Sequence, residues 1–411
     1  MIQKFEEAGH KIVDFSDKAD VYIINTCTVT SIADKKSRQF LRQAKKTNPD
    51  SVIVAVGCYV QVARDVLEKI PEIDLCLGTN EKSNIVSYVE EFLKSKNKNI
   101  EIDDVFKNPE YSDFGSVTYT DKTRAVIKVQ DGCDRFCSYC IIPYARGRVR
   151  SRKPESVISE ITEIAKKGIQ EVVITGIHIA SYGKDFKNEY RLIDLLEDIN
   201  KIEGIKRIRL GSIEPLLITD EFMKRASKLE KLCHHFHLSL QSGNTETLKR
   251  MNRRYTIEDF EKVVKRIRST YQDSILTTDI IVGFPGETDE EFESTYNFLE
   301  KIKFYKMHIF KYSVRTGTKA AEMPNQISPE IKEERSKSLL ELSDKNEIEY
   351  LNSYIGKTVE VLFEEKDGEY WKGHTANYLV VKLKSEEDLN NKLLSVKIDG
   401  IDKLELISQK N

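Results

Sequence analysis

The chain has 411 residues and a formal net charge of -2, with 32% charged and 39% hydrophobic residues. This length suits about two to four domains with full cores, and the composition excludes wholesale disorder. Because the net charge is close to zero, a nucleic-acid partner has to be recognised through local basic patches.

Cysteine usage and the N-terminus bear on the compartment. The seven cysteines are odd in number, and the N-terminal sequence MIQKFEEAGH lacks an apolar signal segment. No apolar run approaches the roughly twenty residues of a membrane span. These features predict a cytoplasmic protein with reduced thiols and no membrane partner.

The first hundred residues alternate between short apolar runs and helical patterns. The predicted strands are residues 21–24 and 52–56, and the predicted helices are residues 1–7, 31–46, 61–69 and 81–93. Strands that alternate with helices predict a doubly wound parallel sheet with helices on both faces. Residues 94–119 show no periodicity and are predicted to be a linker.

Two cysteines follow the predicted strands of this sheet. Cys27 and Cys58 each lie two or three residues beyond a strand, where ligands of parallel sheets gather. Two thiols at neighbouring strand ends are suited to a shared metal, but each residue alone equally suits a small buried apolar position. Cys76 is predicted to be a strand-core residue.

The segment DGCDRFCSYCIIPYARGR, residues 131–148, carries the strongest motif. Cys133, Cys137 and Cys140 have the spacing C-x3-C-x2-C, without a fourth cysteine or a histidine before His178. Structural zinc normally takes four ligands, whereas three thiolates on an iron-sulfur cubane leave one iron open for another molecule. The spacing favours the cubane over zinc, and zinc over three thiols without a metal.

Six further strand-like runs follow, separated by amphipathic helices such as residues 154–167. They are residues 125–129, 171–175, 207–210, 236–240, 278–282 and 308–312. Functional groups of β/α units gather on loops after the strands. Gly176, Glu214 and Gln241 lie just beyond these strands; for Glu214 and Gln241, a helix cap or turn role is the alternative to ligand binding.

Histidines and basic residues offer further candidates. Cys233 lies beside His234, His235 and His237, but strand alternation argues against their convergence on zinc. Basic residues at the possible nucleic-acid surface fall in three groups: Lys35, Lys36, Arg38, Arg42, Lys45 and Lys46; Arg146, Arg148, Arg150, Arg152 and Lys153; and Lys249, Arg250, Arg253 and Arg254.

The C-terminal segment changes character after a polar helix at residues 329–350. Alternating runs at residues 358–363, 370–372, 378–383 and 394–398 predict a small antiparallel barrel. Tyr378 is a candidate for stacking on bases. Because residues 350–411 hold nine lysines, no arginine and eleven acidic residues, this barrel is expected to position RNA more than to hold it.

The strings CSYCIIPYARG and RSR resemble the radical S-adenosylmethionine (SAM) methylthiotransferases. The resemblance implies a 4Fe-4S cluster on Cys133, Cys137 and Cys140, whose open iron binds SAM and whose electron cleaves it to a deoxyadenosyl radical. It also implies SAM contacts from Gly176, Glu214 and Gln241, and from Arg209 to the SAM carboxylate.

INTCTVT and GCY resemble two of the three cysteine motifs of that family's N-terminal domain. The resemblance implies an auxiliary 4Fe-4S cluster on Cys27 and Cys58. The remaining motif is expected before the first helix, in which Met1 already lies. The auxiliary cluster and sulfur insertion are therefore in doubt for the chain as written, unless an in-frame upstream stretch encodes a strand and a Gly-Cys pair.

The resemblance covers nearly the whole chain and divides it into three domains. These are an N-terminal domain at residues 1–100, a radical SAM (β/α)6 partial barrel at 119–347, and at 348–411 a TRAM barrel, which the string GHTANYLVV resembles. The motifs are most similar to enzymes that methylthiolate threonylcarbamoyladenosine beside the tRNA anticodon, with an electron donor and a sulfur source as further partners.

Three alternatives stay open. The same chemistry on isopentenyladenosine or on a ribosomal-protein aspartate is the nearest. A radical SAM enzyme without sulfur insertion is the second, and a noncatalytic, metal-braced RNA-binding module is the third.

Overall fold

The computed structural model describes residues 1–96, 99–107, 110–113 and 123–409, which divide into two compact units. The first unit comprises Met1–Tyr119, Asp131–Ser151 and Ser313–Glu322; the second comprises Thr120–Gln130, Arg152–Tyr312 and Met323–Asn411. The three cysteines at 133–140 therefore belong with the N-terminal sheet, and the C-terminal sheet belongs with the barrel strands. The division into domains at 1–100, 119–347 and 348–411 stays a prediction.

The first unit is built on a parallel sheet whose four strands are neighbours in chain order. The strands are β1 Val21–Thr26, β2 Val52–Gly57, β3 Leu75–Leu77 and β4 Asn99–Glu101, and the helices are α1 Ile2–Glu7, α2 Ser31–Thr47, α3 Cys58–Val62, α4 Arg64–Leu67 and α5 Ile85–Ser95. Separate apolar clusters pack on its two faces, one with α2 and one with α1 and α5. Helices on both faces confirm the predicted layering.

Two expectations for this unit are wrong in detail. The predicted linker at 94–119 contains β4, which pairs with β3 as the fourth strand; residues 97–98, 108–109 and 114–119 of that stretch lie outside the described residues. The helix expected at 61–69 is instead α3 and α4. Because α3 begins at Cys58, that cysteine opens a helix rather than lying in a loop.

The second unit contains the six predicted barrel strands, all parallel. The strands of the unit are β5 Arg124–Asp131, whose last residue falls in the first unit, β7 Glu171–Gly176, β8 Arg207–Leu210, β9 His235–Gln241, β10 Ile275–Val282 and β11 Lys306–Lys311. They form the three-stranded arrays β5-β7-β8 and β9-β10-β11, joined by the parallel bridges Ile208–Leu232 and Ile213–Leu238. The result is the curled, half-barrel α/β sheet that the β/α alternation predicts.

Helices cover the outside of this curled sheet. They are α7 Pro154–Lys166, α8 Leu192–Asn200, α9 Asp220–Ala226, α10 Thr245–Arg250, α11 Ile257–Thr270, α12 Asp289–Ile302 and α13 Pro329–Asn352; α6 Ile142–Arg146 and the short strand β6 Arg150–Ser151 lie in the first unit. One large apolar cluster joins these helices to the strands. Thr288 and Glu291 form a capping box at the start of α12, which stabilises that helix end.

The C-terminal sheet has six strands, of which four were predicted. They are β12 Thr358–Asp367, β13 Tyr370–Thr375, β14 Val380–Lys384, β15 Leu393–Lys397, β16 Gly400–Asp402 and β17 Glu405–Ser408. All pairs are antiparallel except β14 with β17. Its core includes Ile275 and Tyr305, at the amino ends of β10 and β11, so the sheet packs beneath the barrel strands.

Candidate cluster and cofactor sites

The three-cysteine loop runs from the end of β5 to α6. Cys137 is buried, and Cys133 and Cys140 are partly exposed. The amide of Cys133 donates to the Gly147 carbonyl over 3.0 Å, and the amide of Cys140 donates to the Cys137 carbonyl over 2.9 Å. Gly132, at a φ of 70°, is required here because a Cβ would overlap the Arg148 carbonyl. These contacts fold the loop back on itself.

Cys27 and Cys58 lie at adjacent positions of the N-terminal sheet. Each is the first residue after its strand, and the preceding residues, Thr26 and Gly57, are paired in register. Cys58 is buried and Cys27 is exposed. This placement confirms that the two thiols follow neighbouring strand ends, as the sequence predicts.

Arg146 lies against Cys58, a contact that the sequence does not reveal. Its Nε donates to Cys58 Sγ over 3.1 Å, and its Nη1 lies 3.5 Å from Asp131 Oδ2. Burial lowers the pKa of Arg146, but Asp131, Cys58 and Cys27 outweigh burial and hold it above its ordinary value. An arginine carries a permanent positive charge. A positive charge beside a cysteine is the kind of environment in which sulfur binds metals.

The donor sets suit iron-sulfur chemistry. One compact loop supplies three thiols, the number that leaves one corner of a cubane open, and the thiol of Cys58 contacts the partly buried guanidinium of Arg146. Thiol donors of this kind prefer soft, iron-sulfur metal centres over calcium or magnesium. The residues present therefore fit the cluster assignments, which remain predictions for each individual ligand.

Polar groups meet at the carboxyl ends of the first three barrel strands. The His178 amide donates to Gln130 Oε1 over 2.7 Å, and His178 Nε2 lies 3.2 Å from Glu214 Oε2. His178 Nδ1 is also 2.8 Å from the Ser181 hydroxyl. His178 and Glu214 follow the paired strands β7 and β8, and this pairing brings them together.

Gly176 and Gln241 have local geometries that explain their residue types. A Cβ on Gly176 would lie 2.8 Å from the Gln130 carbonyl oxygen, so only glycine permits this approach of β7 to β5. Gln241 is buried at the end of β9 with a φ of 74°, a costly backbone conformation for a side-chain-bearing residue. Strain of this kind clusters at binding sites. Their contact with SAM stays a prediction.

The structure gives Arg209, the residue predicted to bind the SAM carboxylate, partners within the protein. Arg209 is buried, and its guanidinium donates to Glu171 Oε1 over 2.7 Å and to the carbonyls of Ala376 and Thr375 over 2.9 and 3.3 Å. These bonds tie the barrel to the C-terminal sheet. Three of the five N–H donors of Arg209 therefore already have protein acceptors.

Tyr378, the candidate for stacking on bases, has ring neighbours within its own unit. Its ring stacks on His235 and His374 at centroid distances of 5.0 and 4.8 Å, and the Arg209 guanidinium lies 4.7 Å from the ring centre. Neighbours within the unit thus already line this ring, which weakens the expectation that it stacks on RNA bases.

The basic string after the cluster loop is mostly not a surface. Arg150 is 2% exposed and donates to Asn80 and to the Arg146 carbonyl. Arg152 is buried and paired with Glu160. Arg148 and Lys153 are exposed, and the Arg148 guanidinium lies 5.4 Å above the Phe136 ring. A pattern of alternating basic residues predicts exposed side chains only where the segment lies along the protein surface. Most of this segment does not.

The histidine prediction holds in part. His235 and His237 share one strand face and both contact the Thr277 hydroxyl, at 3.1 and 2.9 Å. Cys233 is buried, and burial raises the pKa of its thiol to about 11, as expected of a structural residue. In the described part of the chain, every helix is too short or too polar to cross a bilayer.

Comparisons with known proteins agree with this geometry. The Radical SAM superfamily matches residues 127–299, and a family described as "Uncharacterized protein family UPF0004" matches residues 1–78. A radical SAM methyltransferase from Kitasatospora setae, solved with cobalamin and a 4Fe-4S cluster, has a similar fold, with a TM-score of 0.57 and 16% identity over 75% of this chain and 67% of that one.

Similar sequences extend over nearly the whole chain. The threonylcarbamoyladenosine tRNA methylthiotransferases MtaB of Bacillus subtilis and Aquifex aeolicus are each 41% identical, over 96% of this chain and 89% and 95% of theirs. A tRNA-2-methylthio-N(6)-dimethylallyladenosine synthase of Thermoanaerobacter sp. is 38% identical over 96% of this chain and 85% of its own.

The match to the Radical SAM superfamily implies SAM and a 4Fe-4S cluster as cofactors. Identity of 41% along almost the full length, together with the cysteine loop and the curled sheet, decides the assignment. The chain belongs to the radical SAM methylthiotransferase family of enzymes.

Proposed function

We propose that this enzyme adds a methylthio group to C2 of N6-threonylcarbamoyladenosine beside the tRNA anticodon. The observation that carries the proposal is the 41% identity over 402 residues to a relative named for that reaction. The coverage of both chains supports transfer of the whole activity rather than of one domain.

Cys133, Cys137 and Cys140 would hold the cluster that acts on SAM. When bound there, the cluster supplies the electron for reductive cleavage of SAM, which activates a C–H bond too weakly acidic for any side-chain base. The loop contacts of Cys133 and Cys140 fix the positions of these ligands on the protein.

Gly176, Glu214 and Gln241 would bind SAM at the carboxyl ends of the barrel strands. The Glu214 carboxylate suits the SAM ammonium group, and it is 5% exposed, which strengthens a charged hydrogen bond. Gly176 would shape the binding site by letting the end of β7 lie close to Gln130. His178, within 3.2 Å of Glu214, would orient that carboxylate.

Cys27 and Cys58 would be ligands of the auxiliary cluster. The sulfur of the methylthio group would come from a cellular source and be added to the nucleoside beside this cluster. Arg146 would stabilise the thiolate of Cys58 through its 3.1 Å contact. A cellular electron donor would supply the electrons that the reaction consumes.

The tRNA would contact the exposed basic side of α2. Lys35, Lys36, Arg42 and Lys46 are exposed on this helix, with Phe40 among them. Cations spaced along one helix suit phosphate groups. We further propose that residues 348–411 form a TRAM barrel, that the three-domain division 1–100, 119–347 and 348–411 holds, and that the enzyme acts in the cytoplasm, where tRNA is modified.

Nucleoside analysis tests the proposal. In a strain lacking this gene, we expect tRNA digests to lose 2-methylthio-N6-threonylcarbamoyladenosine and to accumulate its unmethylthiolated precursor, as measured by mass spectrometry. The wild-type gene should restore the product, and Cys137→Ala should reduce it at least about 1,000-fold because a cluster ligand is lost. Cys233→Ala is the matched control, since that cysteine is buried away from the proposed ligands.

A second candidate substrate is N6-dimethylallyladenosine. The 38% identity to the Thermoanaerobacter relative, only slightly below 41%, favours keeping it. Loss of the dimethylallyl product with an unchanged threonylcarbamoyl product would overturn the first proposal in favour of this one.

A further inference from the structure

Three potential metal ligands lie on neighbouring strands of the barrel, apart from all seven cysteines. They are His237 on β9, Asp279 on β10 and His308 on β11, and their ligand atoms all lie within 4.8 Å of one another. Asp279 and His308 are paired in register, and His237 pairs with Thr277 two residues before Asp279. Sheet register thus holds the three side chains on one patch.

This patch lies on the face of the sheet that is not covered by helices. The next residues along each strand, Leu238, Ile280 and Met307, belong to the apolar cluster on the opposite face. Because side chains alternate across a strand, His237, Asp279 and His308 point to the inner face of the curled sheet. His308 is exposed there, which gives a solute access to the patch.

His237 is held in an orientation suited to metal binding. Its Nδ1 lies 2.9 Å from the Thr277 hydroxyl, and its Nε2 lies 3.1 Å from Asp279 Oδ2. A second hydrogen-bond partner that fixes the imidazole is the usual companion of a histidine ligand. A spacing of 3.1 Å between nitrogen and oxygen is also that of two ligands sharing one ion, since each lies about 2.0–2.2 Å from zinc.

His308 supplies the third donor. Its ring lies 5.5 Å from that of His237, and among the described residues it has no recorded hydrogen bond.

We propose that His237, Asp279 and His308 bind a first-row divalent cation, with Zn²⁺ as the probe. Two imidazoles and one carboxylate form a set that such ions prefer, and three protein ligands leave one tetrahedral position for an oxygen or nitrogen donor of a bound molecule. The site would be distinct from the thiolate clusters. It does not depend on which nucleoside the enzyme modifies.

Zinc binding by the full-length protein with its clusters reconstituted under anaerobic conditions tests the proposal. We expect about one zinc per chain after desalting, and a zinc-edge X-ray absorption shell of nitrogen and oxygen at about 2.0–2.1 Å. Asp279→Asn and His308→Gln should each weaken zinc binding about 100-fold, measured by competition with a chelating dye.

His234→Gln is the matched control. His234 also pairs with an aspartate, Asp273, at 2.7 Å, but no third donor completes that pair among the described residues. This variant should bind zinc like wild type. Iron content and the thermal unfolding midpoint, measured on every variant, separate loss of the site from loss of the fold.

Three results would overturn the proposal. The first is a shell of sulfur at about 2.3 Å, which would place the zinc on cysteines. The second is unchanged zinc affinity in both Asp279→Asn and His308→Gln while iron content and unfolding match wild type. The third is an equal loss of affinity in His234→Gln.

Discussion

The two ends of the barrel strands in the second unit are built in opposite ways. At the amino ends, Arg124, Arg207 and Arg209 direct their guanidinium groups into the C-terminal sheet, where Arg124 pairs with Glu364 at 2.9 Å and Arg207 donates to the His374 carbonyl over 2.8 Å. At the carboxyl ends, Gly176 allows a close backbone approach and Gln241 has a left-handed backbone. The amino ends therefore attach the barrel to the C-terminal sheet, and the carboxyl ends have the geometry of a binding site.

This contrast explains why residue type alone is misleading. An arginine near a strand end suggests a carboxylate ligand by its chemistry, and Arg209 fits that description in the sequence. Its position in β8 directs it instead to Glu171 and to two carbonyls of the C-terminal sheet. Which end of the strand a side chain faces decides its role. Three substitutions test the contrast.

Arg209→Met should have the largest effect on stability. It leaves the fully buried Glu171 without its 2.7 Å partner, and breaking a buried pair costs about 3 kcal/mol or more, or roughly 6–12 °C in the unfolding midpoint. SAM affinity should stay within about twofold of wild type. Calorimetry and SAM titration measure both. Arg225→Met, which breaks a partly exposed cluster with Asp194 and Glu197, is the control and should cost far less.

Glu214→Gln should have the converse result. Loss of a charged hydrogen bond costs about 1.5–3 kcal/mol, so we expect SAM to bind about 10- to 100-fold more weakly with little change in unfolding temperature. Isothermal titration with SAM measures it, and the exposed Glu221→Gln is the control. Unaltered SAM affinity would remove Glu214 from the proposed site.

Gly176→Ala should have the smallest effect. The added Cβ would meet the Gln130 carbonyl at 2.8 Å and push β7 away from β5 at the carboxyl ends of these strands. We expect this displacement to lower the free energy of unfolding by about 1–2 kcal/mol. We expect SAM affinity to fall about fivefold. Gly400→Ala is the control, because a Cβ there has no neighbour within 4 Å. Equal effects of the two changes would argue against a special geometry at Gly176.

The sequence predicts much of this fold because its signals are local. The strand runs depend on apolar patterns among neighbours in the chain, and the barrel strands appear where expected. β4 escaped prediction because it has only three residues and gains its pairing from β3. The contacts of His178 with Glu214 and of Arg209 with Glu171 join residues 36 and 38 positions apart, which no local pattern encodes.

Arg146 connects the two groups of cysteines in the first unit. The same residue closes the short helix after the three-cysteine loop and reaches the sulfur of Cys58. A substitution that disturbs α6 would thus alter the geometry at both groups of cysteines. One side chain therefore contributes to the local geometry of two separate groups of thiols.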